Sequence, residues 1–91
     1  MGKRPGVMKR IASDELIGES LPRRPIIELC SDNRLYIERH LGVYEYSDVE
    51  IHIGVSFGKI IIRGGFLKLA SMSKESLVIT GQISCVELIR G

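Results

Sequence analysis

At 91 residues the chain is one domain at most, and a domain of this size buries only about 60–65% of the surface its unfolded form exposes, so help from partner subunits is expected. Its apolar share is 44%, it has no tryptophan, and its formal net charge is +2. No apolar run approaches the ~18 residues of a membrane span, which excludes a transmembrane helix and describes a globular, soluble chain.

The opening MGKRPGVMKR carries charge but no apolar stretch and no small-residue cleavage site. It does not read as a secretory signal, so the protein is expected to stay in the cytosol. Residues 1–24 form a basic leader: Lys3, Arg4, Lys9, Arg10, Arg23 and Arg24 stand against Asp14, Glu15 and Glu19, six positive charges to three negative. Met8, Ala12 and Leu16, with Ile11 and Ile17 beside them, recur at helical spacing. The leader is therefore expected to be a short amphipathic helix or partly disordered, since a helix this short is marginal unless its apolar face docks. Gly18 and Pro22 would end it. Lys9, Arg10, Arg23 and Arg24 are its candidate interaction residues, because clustered cations create a local positive field.

From Ile26 onward the sequence becomes short strand-like runs split by turn residues: Ile26–Cys30, Arg34–Glu38, Gly42–Tyr46, Val49–Ile53, Lys59–Arg63, Phe66–Ala70, Leu77–Thr80 and Ser84–Ile89. The two- and three-residue breaks between them are too short for parallel crossovers, so neighbours should pair antiparallel. Gly42, Gly58, Gly64 and Gly81 are read as the structural turn glycines. Residues 25–91 should thus be an all-β domain, eight short strands in a meander that curls into a small sandwich or open barrel.

One regularity runs through the domain. IIIRGGFLKL (60–69) and LVITGQISCV (77–86) each place a β-branched run before a glycine and a second apolar run after it, 17 residues apart. Carried back, the same spacing reaches Val43 and then Ile26. Such a period suits repeated hairpins, and equally one coil of a β-solenoid, which is the alternative architecture. Leu35 and Ile37 around Tyr36, and Ile51 and Ile53 around His52, alternate as strands with one covered and one wet face. Ile60, Ile61 and Ile62 are apolar on both faces, as if covered on both sides.

The motifs that suggest chemistry are poorly supported. Gly54-Val55-Ser56-Phe57-Gly58 matches the nucleophile-elbow pattern, but an elbow turns a strand into a helix, whereas Lys59–Arg63 reads as another strand. Ser56 is therefore placed in a hairpin loop, and no catalytic residue is assigned. His40 reads as a turn residue and His52 as a solvent-facing strand residue. Neither joins Cys30 or Cys85 at a metal-ligand spacing, so no metal and no cofactor are expected. Cys30 and Cys85 read as inert thiols buried in strands of a reducing compartment. The tyrosines Tyr36, Tyr44 and Tyr46 lie near Glu38 and Glu45 rather than in a basic stripe, which argues against nucleic-acid binding.

The run Leu35-Tyr36-Ile37-Glu38-Arg39-His40-Leu41-Gly42-Val43-Tyr44-Glu45-Tyr46-Ser47 resembles a block of the YabP/YqfC family of sporulation proteins, its YqfC branch above all. Gly58–Gly64, Leu67-Lys68-Leu69, Leu77–Ile83 and Val86-Glu87 continue that family's order of glycine-punctuated strands, so the resemblance covers about Leu21 to Ile89. It sets an asparagine at the position of Arg39, a residue type that tolerates left-handed turn geometry better.

What the resemblance implies is a non-enzymatic protein of spore morphogenesis in the mother cell, tied to cortex or coat assembly as a scaffold or interaction module. The expected partners are a second copy of the chain and a protein partner, such as a membrane-anchored sporulation protein. Unpaired sheet edges would supply the contact. The alternative is a membrane-surface adaptor, held peripherally at the forespore through the basic leader, with a nucleic-acid-binding β domain behind it.

Overall fold

The computed structural model describes residues 24–91, and the expectations for the leader, including those for Lys9, Arg10 and Arg23, lie outside the described residues. Six strands follow one another: β1 (Ile26–Cys30), β2 (Arg34–Glu38), β3 (Gly42–Tyr46), β4 (Glu50–Val55), β5 (Gly58–Met72) and β6 (Ser76–Arg90). They form one open sheet in the order β1-β2-β6-β5-β4-β3, and every neighbouring pair is antiparallel. The all-β class holds. The eight expected strands are six, the sandwich or barrel is a single open sheet, and the solenoid alternative finds no support in antiparallel pairing.

The strand count falls because two expected breaks are not turns. Gly64-Gly65 lies inside β5 and Gly81–Ile83 inside β6, opposite each other, with Gly64 paired to Ile83 and Gly65 to Gln82. The ladder shifts register there and then continues to Met72 and Leu77. These are β-bulges, which bend a strand without ending it. The 17-residue echo thus has a structural meaning: its two copies are β5 and β6, laid head to tail around Gly65 and Gln82. The earlier steps of the same period, Ile26 and Val43, fall in β1 and β3.

On one side of this bend the β1–β2 hairpin pairs with residues 76–80 of β6, and on the other the β3–β4 hairpin pairs with residues 58–63 of β5. The plain meander is broken here, since β2 lies beside β6 and not beside β3. The two hairpin turns also play matching parts. Carbonyls of Asp32 and Asn33 accept from the N–H groups of Ile83 and Gly81, while carbonyls of Asp48 and Val49 accept from those of Leu67 and Gly64. Backbone groups freed by the bulges are thereby satisfied.

The bend folds the ribbon onto itself. Gly54 pairs with Lys59, and a straight strand would carry Met72 about 40 Å beyond Lys59, at ~3.3 Å per residue. Yet the connector between β2 and β3 reaches both ends: Arg39 N–H donates to the Glu75 carbonyl, and Leu41 N–H donates to the Gly54 carbonyl. The enclosed face carries one core, with Leu35 and Ile37 from β2, Ile51 and Ile53 from β4, Ile60 and Ile62 from β5, and Leu77 and Ile79 from β6 fully buried. Each contributes about 1.5–3 kcal/mol of burial. Ile61, on the opposite face between His52 and Glu87, is buried as well.

Candidate functional site

Strand alternation sends Glu50 and His52 to the outer face of β4 while Ile51 and Ile53 go to the core. Opposite them, β3 has one residue too many: Val43 pairs with Ile53, but Glu45 pairs with His52, leaving Tyr44 as the extra residue of a bulge. Without that bulge Glu45 would face Ile51 and the core. With it, Glu45 is re-aimed onto the outer face. Gly54 makes room for the Tyr44 ring, because a Cβ on it would stand 2.5 Å from the phenol oxygen.

Neighbouring strands extend the patch. Glu50 pairs with Arg63 of β5, and Arg63 pairs with Cys85 of β6, while Ile61 pairs with Glu87. His52 Nε2 lies 2.5 Å from Glu50 Oε2 and 3.2 Å from Glu45 Oε1. The other oxygen of Glu50 faces Arg63, with Oε1 3.6 Å from Nε, and Arg63 donates a 2.7 Å hydrogen bond to Glu87. His52 is largely buried, its side chain 13% exposed.

The charges reinforce one another. The hydrogen bond from His52, then the positive charge of Arg63, hold the Glu50 carboxyl below its ordinary value against the opposing effect of burial. The bond to Glu87 raises the Arg63 guanidinium above its own. A groove lined by Glu45, Tyr46, Ser47, Val49 and Glu50 runs beside the cluster. The Ser47 hydroxyl fixes its floor by accepting from the N–H groups of Val49 and Glu50.

Apart from His52, the described residues singled out from sequence fall elsewhere. Arg24 is exposed, and its carbonyl accepts a 3.2 Å bond from Arg39. Gly42 and Gly58 open β3 and β5 beside turns, whereas Gly64 and Gly81 stand inside strands, so only the first pair are turn glycines. Ser56 is exposed in the tight turn between Val55 and Gly58, a hairpin as read. His52 does not face solvent freely; it is the centre of the polar cluster. Cys30 and Cys85 are exposed and not buried, because both lie on the wet side of strands at the margin of the sheet. His40 is buried and ties the connector down.

The sheet also leaves open margins. Beyond Ile83, β6 has β5 on one side and no strand among the described residues on the other, so Ser84–Arg90 is an unpaired edge, with Leu88 57% exposed. β1 and β3 are the outermost strands and expose Ile26, Leu29, Tyr44 and Tyr46. Among the described residues no helix is long and apolar enough to cross a membrane.

Compared with models of known families, residues 22–91 match the one described as the YabP family, a span that takes in every described residue. No curated protein and no solved structure matches the chain.

Proposed function

Because the chain belongs to the YabP family, which suggests a sporulation-related protein, we propose that it is a non-enzymatic assembly protein of spore morphogenesis, working in the mother cell during cortex or coat formation. It acts by adding strands across its open edges, first to a second copy of itself and then to a protein partner at the forespore. The observation that carries this reading is the edge Ser84–Arg90, which no second strand among the described residues covers. A row of free backbone donors and acceptors beside apolar side chains is a template for strand addition, and a domain this small gains core by it.

Size-exclusion chromatography with light scattering on the full chain tests the self-association. At tens of micromolar a dimer or larger species is expected, and Leu88→Lys, which sets a charge on the exposed edge, should return it to monomer. A wild-type monomer would remove the self-assembly part. Heat-resistant spores with normal coats after deletion of the gene would remove the sporulation part.

A further inference from the structure

The geometry points to a binding site for a divalent first-row transition metal, best suited to zinc, formed by Glu45, Glu50 and His52. One donor atom from each of the three residues lies within 4.8 Å of the other two. Two carboxylates and an imidazole are a mixed oxygen and nitrogen set that such metals take, whereas magnesium and calcium prefer oxygen alone.

Hydrogen bonding by itself accounts poorly for the arrangement. His52 Nε2 has at most one proton, yet it faces two carboxylate oxygens on different residues, Glu50 Oε2 at 2.5 Å and Glu45 Oε1 at 3.2 Å. One N–H aims well at only one of them, and two carboxylates whose ligating oxygens lie within 4.8 Å of each other call for positive charge between them, which a protonated ring or a bound metal ion supplies. A metal ion in place of that proton satisfies all three, with the ring N–H moving to Nδ1. In a tetrahedral site with bonds of ~2.0–2.1 Å the donors stand about 3.3 Å apart. Glu45 and His52 are already near that separation, Glu50 and His52 must part by about 0.8 Å, and the ligating oxygens of the two carboxylates lie within 4.8 Å of each other.

Two further features suit a site built to hold an ion. The bulge at Tyr44 is what brings Glu45 opposite His52. Glu50 divides its oxygens, Oε2 toward His52 and Oε1 toward Arg63, which is itself held by Glu87. That is the outer shell that orients a ligating carboxylate.

Isothermal titration with zinc chloride tests the proposal, using the full chain with Cys30→Ser and Cys85→Ser so that the exposed thiols cannot compete. One zinc per chain is expected, with no comparable heat from magnesium. Glu45→Gln, on an edge strand, and His52→Gln should each weaken binding at least ~10-fold. Titration with cobalt, followed by the broadening of His52 ring resonances, should give the same site. If His52→Gln unfolds, Glu45→Gln decides the matter. Absence of saturable zinc binding, or binding indifferent to Glu45→Gln, would overturn the proposal.

Discussion

Gly64 lies against the backbone of Gln82, so close that a Cβ at position 64 would overlap the Gln82 carbonyl oxygen. The contact sits where β5 and β6 cross over in register, and the opposing atom is backbone, which has no rotamer to yield. Gly64→Ala is therefore expected to destabilise the fold by about 2–3 kcal/mol. Gly65 supplies the control, since a Cβ there meets only the end of the Gln82 side chain at 3.4 Å. Gly65→Ala should cost less than about 1 kcal/mol. Urea unfolding followed by far-UV circular dichroism separates the two, and equal midpoints would refute the backbone contact.

The same pair of strands shows where sequence reading succeeds and where it stops. β1, β2 and β3 begin and end at the residues expected, because each is a short run bounded by turn chemistry on both sides. In β5 and β6 a glycine marks the middle of a strand, and in sequence a bulge glycine looks like a turn glycine. Only the opposing copy, 17 residues away, distinguishes them. Glu50 and His52 share a face by simple alternation, a signal open to reading in Glu50-Ile51-His52. Glu45 joins them only through the bulge at Tyr44, which no residue type announces. The exposure of Cys30 and Cys85 was likewise hidden, because it follows from their strands lying at the margin of the sheet.

His40 ties three segments together. Its Nδ1 accepts the N–H of Gly42 at 3.0 Å, and its Nε2 lies 3.0 Å from the Ser73 carbonyl, so these partners assign a neutral ring with the proton on Nε2. The side chain is buried, and replacing it leaves a donor and an acceptor to be satisfied elsewhere. His40→Phe, which keeps the ring but neither bond, is expected to cost about 2–4 kcal/mol. Hydrogen exchange at the Gly42 amide should rise along with the loss of stability. An unchanged urea midpoint would show that the two bonds contribute nothing net.

Tyr36 gives the fold an alkaline limit. Burial first, then the hydrogen bond to Glu38, raises its phenol above the ordinary value near 10. The folded state thus prefers the neutral form. Its contribution is complete below about pH 10, where the phenol is neutral folded or unfolded, and is lost as pH rises through the raised folded value. Tyr36→Phe removes the titration. Its urea midpoint should fall less than that of wild type between about pH 9 and pH 11, and parallel curves would sink the assignment.

Arg39 holds a backbone conformation that its residue type disfavours. With φ at 68° it lies in the left-handed region, where Cβ crowds the carbonyl and costs about 1–2 kcal/mol. The turn associated with asparagine in the family resemblance is present here all the same. Its N–H bonds to the Glu75 carbonyl, and among the described residues its guanidinium reaches the Arg24 carbonyl at 3.2 Å and the part-exposed Glu38 at 3.9 Å. An exposed ion pair as long as this contributes less than about 1 kcal/mol, so relief of the backbone outweighs its loss. Arg39→Gly and Arg39→Asn should each stabilise the protein by about 0.5–1 kcal/mol, a rise in melting temperature of about 2–8 °C for a domain of this size. Differential scanning calorimetry reads that shift, and a lower melting temperature in both variants would mean that the side-chain contacts outweigh the backbone strain.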